Sequence, residues 1–423
     1  MIKIEFLGAM ACVGASGILI ENERSRIVLD YGTKIREIPP KFPLKVDGKP
    51  DVIFLSHAHL DHSGGLPIFE SKGETVPIYS IDVSKPLTQL LLLDSIKISR
   101  EEGVELPFTK PDVDRTIGNF KNIEYREPID INGVEVKLFD AGHIPGSSQI
   151  FLDYGERTIL YSGDIKLSDT RLIKGADMKL PKNVDVLIME STYADREHPN
   201  RKEEEKEMVR MIEKTLSKRG KVIIAAFAVG RAQEVLLILH KYGIDYPLYL
   251  DGMAKKATTI INSYKKRLKK KKALDKALRE VEYVKGERMR KRVIRDPCVI
   301  VTTSGMLKGG PVVWYLKKLR RDKNSSLILT GWQLEGTPGR ILLETGKYVN
   351  EEEGLEFDVH MNVKRFDFSA HAGRSELFKY LERISPEKVF VIHGDHTEEF
   401  AAELREKGYN AIAPIANNRV FTL

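Results

Sequence analysis

Cysteine is almost absent: Cys12 and Cys298 are the only two in 423 residues. With no Cys-x-x-Cys pair, a disulfide scaffold and a thiolate zinc finger are both excluded. Any metal must therefore be held by imidazole and carboxylate. Long apolar runs are missing as well, since no stretch approaches the roughly 18 residues that a membrane helix needs. Residues 1–7 alternate apolar and polar side chains like a first β-strand, not like a secretory leader. A cytoplasmic chain without a membrane partner is the expectation. No internal repeat or low-complexity linker interrupts the sequence. Against these absences, 42% hydrophobic and 30% charged residues are ordinary for a globular protein. The length suits two or three domains, each with its own core.

The net charge of +7 is unevenly spread. Residues 201–360 hold 35 Lys and Arg against 21 Asp and Glu, a net +14, and the rest of the chain nets −7. A basic block beside an acidic remainder suits a polyanion, although a lysine-rich solvated helix face has the same composition.

Apolar runs at 27–32, 51–56, 136–140, 158–162 and 184–189 read as buried strands, and polar residues follow them at once. Catalytic groups commonly occupy such strand-end loops. Residues 201–218 have helical periodicity, 222–226 read as a strand, and 230–239 open the next helix at Gly230-Arg231. This βα alternation, continued by a strand at 298–302, indicates an α/β unit with a parallel sheet. Residues 264–295 are mostly charged and are expected to form one or two exposed helices, with a surface turn at 351–353. A last strand, 388–392, runs into His393-Gly394-Asp395-His396.

Three of the ten histidines fall in Ser56-His57-Ala58-His59-Leu60-Asp61-His62. Alternate histidines of an extended segment point the same way, and a tight turn then carries Asp61 and His62 to a second position. Neutral imidazole with carboxylate is the donor set of zinc or a related first-row divalent ion. His143, after Asp140-Ala141-Gly142, and Asp164, after Ser162-Gly163, stand at further strand ends. Either alone would ordinarily be structural.

In this order the residues resemble a metallo-β-lactamase-fold hydrolase, whose motifs run from Asp30 through the His57 cluster, His143 and Asp164 to His393. The resemblance implies a four-layer αβ/βα fold. It places one metal on His57, His59 and His143 and a second on Asp61, His62 and His393, with Asp164 bridging. A second set narrows the family: Glu190-Ser191-Thr192-Tyr193, Phe227-Ala228-Val229-Gly230-Arg231-Ala232-Gln233-Glu234, Thr303-Ser304-Gly305-Met306-Leu307, Gly336-Thr337-Pro338-Gly339-Arg340 and Ser369-Ala370-His371. Together they resemble the β-CASP nucleases, which include the cleavage-and-polyadenylation endonuclease subunit, its archaeal relatives and the RNase J enzymes. That likeness implies an α/β β-CASP domain at 201–360, inserted between metallo-β-lactamase parts at 1–200 and 361–423. The substrate strand is then expected between them. A histidine at position 393 resembles the RNA-processing branches, so single-stranded RNA is expected ahead of DNA.

The implied cofactors are two Zn2+ per chain, with Mn2+ or another divalent ion as the alternative. Two such ions can clamp the attacking and leaving oxygens of an in-line phosphoryl displacement. Asp61 is the candidate to orient the nucleophile, and His371, held by Glu190, is the candidate general acid. Products with a 3′-hydroxyl and a 5′-phosphate follow from the resemblance. Arg231, Ser304 and Ser369 are candidate phosphate contacts, against a buried structural arginine and ordinary turn capping. His396 is expected to support His393, and His198 to serve near Glu190, while His240 and His360 show no partner pattern. Some archaeal relatives carry RNA-binding modules ahead of the catalytic domain; none precedes Met1, so targeting through such a module is not expected. An endonuclease of RNA processing or decay is the first reading. A 5′-3′ exonuclease, a small-molecule hydrolase of the same fold and an inactive scaffold are its rivals. Homodimerisation and a place in an RNA-processing assembly are left open.

Overall fold

The computed structural model describes residues 1–34 and 39–423, which fold into two compact units. The first comprises Met1–Asp169, Lys174–Glu197 and Ala370–Leu423; the second comprises Thr170–Ile173 and His198–Ser369.

Two seven-stranded sheets make up the first unit. One runs in the order Val420–Thr422, Lys3–Phe6, Gly17–Glu21, Arg26–Tyr31, Val52–Phe54, Ile78–Ser80, Phe120–Asn122. The other runs Ala411–Ile412, Lys388–Ile392, Val186–Glu190, Thr158–Tyr161, Ser148–Asp153, Val134–Asp140, Ile129–Ile131. Alternation along each strand gives both sheets two apolar faces. Leu19, Val28 and Ile53 meet Leu92, Ile96 and Val113 of the helices Ser84–Glu101 and Lys110–Gly118. On the other sheet Leu160, Leu187 and Val389 meet Leu377, Tyr380 and Phe400 of the helices Arg374–Ile384 and Thr397–Glu406. The inner faces touch through Phe6 and Phe390, whose ring centroids lie 5.0 Å apart. The result is the four-layer αβ/βα sandwich expected from the sequence.

The second unit is built on a six-stranded sheet in which every pairing is parallel: Val281–Tyr283, Leu248–Leu250, Val299–Thr302, Val222–Ala225, Ser326–Leu329, Asn362–Arg365. Its central strands are buried on both sides, as a parallel sheet between helices requires. Asn200 caps the helix Arg201–Ser217 by accepting the Lys202 and Glu203 N–H groups. Buried Glu234 accepts the Arg171 and Leu172 N–H groups at 2.8 Å each, and Glu205 binds the Arg171 guanidinium, so the segment Thr170–Ile173 belongs here. The stretch 264–295 departs from the expected helices alone. It holds the helices Ala273–Leu278 and Glu287–Val293, a short 3-10 turn, and between the helices the edge strand Val281–Tyr283. Val-Glu-Tyr on an edge buries little and alternates weakly, so charge density masked it. Residues 351–354 form the expected turn. Among the described residues no helix is long and apolar enough to cross a membrane.

Candidate metal centre

The strand Val52–Phe54 ends in an extended segment that carries His57 and His59, and the single helical turn Leu60–Ser63 follows. The loop is clamped to its neighbours. Thr33 N–H donates to the Leu60 carbonyl at 2.8 Å and Ser16 N–H to the Asp61 carbonyl at 2.9 Å. A Cβ at Gly32 would stand 1.8 Å from the Asp61 carbonyl oxygen, so only glycine permits this approach. His143 follows Gly142, whose φ is +71°. Asp164 follows the strand Thr158–Tyr161, and His393 follows Lys388–Ile392 at φ +52°. For a non-glycine residue such as His393, strain of this kind costs about 1–3 kcal/mol and collects at functional positions.

These strand ends bring the seven sequence-derived candidates into two adjoining groups, His57, His59, His143 with Asp164, and Asp61, His62, His393 with Asp164. Asp164 faces both. Its Oδ2 lies 3.4 Å from His57 Nε2 and 3.5 Å from His143 Nε2, and its Oδ1 lies 3.3 Å from His62 Nε2 and 3.9 Å from His393 Nε2. His59 Nδ1 closes the first group at 3.2 Å from His57 Nε2 and 3.1 Å from His143 Nε2. Asp61 Oδ2 lies 3.7 Å from His393 Nε2.

Hydrogen bonds behind the rings decide which nitrogens face inward. His143 Nδ1–H donates to the Ala370 carbonyl at 2.9 Å, and His62 Nδ1–H donates to Asp30 at 2.7 Å. Ser56 Oγ–H donates to Asp30 at 2.7 Å and so accepts from His57 Nδ1 at 3.1 Å. Ser16 Oγ meets His393 Nδ1 at 3.0 Å. Where Nδ1 donates, as in His143, His62 and His57, the neutral ring keeps Nε2 as a lone pair aimed at the centre.

The donor set fits divalent cations. His62 Nε2, His393 Nε2 and both carboxylate oxygens of Asp164 are buried without a hydrogen-bond partner, a costly state unless something else satisfies them. Ligands held at about 2.0–2.1 Å in a tetrahedron stand about 3.3–3.4 Å from one another. Four edges of the first group, 3.1 to 3.5 Å, match that spacing. Burial, reinforced by neighbouring imidazoles, holds His57 and His143 well below the usual histidine range, and burial lowers His59 and His393 as well. Neutral imidazole is the form that binds metal. His62 goes the other way: burial would lower it, but Asp164 and Asp30 on either side outweigh that and raise it well above 6.5. For Asp164, burial would raise the carboxyl, and the surrounding imidazoles, His62 foremost, drive it well below its ordinary range. Asp164 thus keeps its negative charge where the two groups meet.

Glu190, His371 and Asp164 form a third close group. His371 Nδ1 lies 3.2 Å from both Glu190 oxygens, and Glu190 is oriented by the Ile165 N–H at 2.7 Å. Burial disfavours a charged His371, but Glu190 and Asp164 prevail and lift it to about 9. Such an imidazole carries a proton near neutrality.

Most of the other sequence candidates lie in the second unit. Arg231 is the first residue of the helix Arg231–Tyr242. Ser304 Oγ donates to the Gly309 carbonyl at 3.3 Å within its own turn, and Ser369 is buried with its N–H on Asp367. His198 pairs with Asp367 at 3.3 Å and His240 with Glu280 at 2.9 Å, while His360 is exposed. In the first unit, His396 does not support His393; its side chain is 55% exposed beside Glu399. Ser16 holds that imidazole instead. Ser16, Ser56 and Tyr161 escaped the sequence reading, and Asp30 entered it without a role. Tyr161 OH donates to Asp30 at 2.8 Å. The adjacency of Ser56 to His57 and of Tyr161 to a strand end was the available signal; nothing local marks Ser16.

Known proteins resemble this chain along nearly its whole length. A family model described as the metallo-β-lactamase superfamily matches residues 12–198, one described as the Beta-Casp domain matches 232–342, and one described as a Zn-dependent metallo-hydrolase RNA specificity domain matches 356–414. A probable RNase MJ4 of Methanocaldococcus jannaschii is 39% identical over 99% of both chains. RNase aCSPSF2 of Saccharolobus solfataricus is 38% identical over 97% of this chain and 83% of its own. The transcription termination factor FttA of M. jannaschii is 34% identical over 96% of this chain and 69% of its own. A solved structure, a protein of unknown function from Enterococcus faecalis V583, matches 100% of both chains with a TM-score of 0.62 at 14% identity, a likeness of fold alone.

Proposed function

The chain belongs to the β-CASP ribonuclease family of metallo-β-lactamase-fold hydrolases, and we propose that it hydrolyses phosphodiester bonds of single-stranded RNA as an endonuclease. The observation that carries this reading is Asp164, whose two buried, unpartnered oxygens face two separate imidazole groups beside the Glu190–His371 pair. His57, His59 and His143 would hold one divalent cation and Asp61, His62 and His393 the other, with Asp164 shared and zinc the favoured ion. When bound, the pair supplies Lewis-acid polarisation of a phosphoryl group and acidifies water near neutral pH.

The remaining chemistry is the chain's own. Asp61 has the most accessible carboxylate of the centre, with 27% of its side chain reached by solvent, and would orient the attacking water. His371 keeps Nδ1 on Glu190 and presents Nε2 to the substrate. From there it protonates the departing 3′-oxygen, so that a 3′-hydroxyl and a 5′-phosphate result. General-acid help of this kind contributes about 10²–10⁴-fold. The basic segment 201–360, taken as the inserted domain, attracts the RNA backbone, and Arg231, Ser304 and Ser369 are its proposed phosphate contacts. RNA-named relatives and the matched RNA specificity model support RNA over DNA.

The deciding experiment compares circular RNA with 5′-phosphorylated linear RNA of the same sequence, incubated with zinc-loaded protein. Cleavage of both is expected. Resistance of the circle alone would convert the assignment to a 5′-3′ exonuclease, and resistance of both would end the ribonuclease reading.

A further inference from the structure

In the second unit, strand register sets four carboxyl ends level: Thr302 beside Ala225, Ala225 beside Leu329, and Leu329 beside Arg365. The crevice outside the carboxyl ends of a parallel sheet is where ligands of such folds bind. Phe227, two residues past its strand, stands at this edge with 40% of its surface exposed. Of sixteen phenylalanines it alone is exposed, the others being buried or half-buried. Two glycines lie beside the ring. A Cβ added to Gly305 would lie 3.2 Å from Phe227 Cδ2, and one added to Gly331 would lie 3.6 Å from Cε2. A side chain at Gly305 would crowd the ring and one at Gly331 would rest against it, so the two glycines leave that part of the ring uncovered. Trp332 follows Gly331 and is flanked by two guanidinium groups, Arg365 at 4.9 Å and Arg340 at 5.8 Å from the ring centre. Arg365 Nη1 is buried without a hydrogen-bond partner.

We propose that Phe227 is a stacking platform for one unpaired nucleobase of the substrate strand, with Arg365 and Arg340 beside Trp332 placed to meet the adjoining phosphates. The inference rests on the ribonuclease reading for the identity of the polymer. An exposed aromatic face with neighbouring arginines is the arrangement that binds single strands without reading sequence. The net charge of +14 over residues 201–360 selects a polyanion over an apolar peptide as the occupant. A base inside a duplex has no free face, so paired RNA gains nothing here.

The test is binding of fluorescent single-stranded RNA by anisotropy, in the zinc-loaded His371→Ala protein so that cutting does not interfere. Phe227→Ala is expected to weaken binding about 5- to 150-fold, the usual range for one base stack, and Phe227→Trp to retain it. An RNA with a single abasic position walked along the strand should show one position whose loss matters in the parent and no longer matters in Phe227→Ala. Because the ring is exposed, its removal leaves the core packing intact, and unchanged thermal melting of Phe227→Ala checks this. An affinity within twofold of the parent, or an abasic profile identical in both proteins, overturns the proposal. RNA that is bound in a Phe227-dependent way by the parent yet never cut by the native enzyme would sink the ribonuclease reading and leave this one standing.

Discussion

Asp30→Asn isolates the hydrogen-bond support of the second imidazole group. Asp30 sits at φ +56°, a left-handed conformation that asparagine adopts as readily as aspartate, so backbone and shape are preserved. Acceptor capacity is what changes. Oδ1 accepts the Ser56 N–H at 2.7 Å, while Oδ2 accepts Ser56 Oγ–H at 2.7 Å, Tyr161 OH at 2.8 Å and His62 Nδ1–H at 2.7 Å. An amide oxygen can serve Ser56 N–H, but the NH2 group then confronts the three remaining donors. His62 must give up its Nδ1 proton, and the neutral ring then carries it on Nε2, where the lone pair for the cation belongs. Losing such support typically weakens a metal site about 10–100-fold, or about 1.4–2.7 kcal/mol. The metal-free fold should also lose about 1–3 kcal/mol, because buried donors lose their acceptor. Titration against a chromophoric chelator resolves the two sites. The one using His62 should weaken while the one using His57, His59 and His143 holds, and melting in excess chelator reads the fold separately. Two sites of unchanged affinity in the variant would refute the reasoning.

His371→Ala should lower kcat about 10²–10⁴-fold with metal content unchanged. A substrate with sulfur at the bridging 3′ position, whose thiolate departs unprotonated, should recover most of the loss; no recovery would place the acid elsewhere. Asp367 gives a pH signature. Burial would raise its carboxyl, but the His198 bond outweighs this and holds it at about 2 against 3.8. A depressed folded pKa stabilises above the unfolded value, and the gain vanishes as pH falls through about 2, so Asp367→Asn should cost about 2 kcal/mol near neutrality and little in strong acid. Denaturant melts across that range decide it. Glu234→Ala strips the acceptor from the half-buried Arg171 and the buried Leu172 N–H groups, at about 1–3 kcal/mol for the buried one and less for the other; limited trypsin digestion should then cut at Arg171, and an uncut segment would show that Glu234 is dispensable. Raising salt should depress kcat/KM steeply on a log–log plot, with a slope near −0.7 per phosphate contact on a single strand. A flat response would remove the basic segment from substrate guidance.

Strand-end loops made much of the centre legible in the sequence. His57, His59, Asp61 and His62 lie within six residues, and each of the other candidates follows a readable apolar strand. Long strands buried on both faces announce themselves, which is why 388–392 coincides with the observed Lys388–Ile392. The edge strand Val281–Tyr283 did not, because two apolar residues among charges resemble a helix face as well as a strand. His396 misled for a related reason: nearness to His393 in sequence says nothing about direction once a helix begins at Thr397.

The chain's sequence by itself determined the donor types, their order and the loops that bear them, since residue identity and local periodicity are local properties. Only the tertiary structure showed that Asp164 faces both imidazole groups, which ring nitrogens face inward and which side chain stands behind each ring. Ser16 meets His393 across 377 residues, and Tyr161 meets Asp30 across 131. Bonds of that span leave no periodic trace, because their geometry exists only after two sheets have packed.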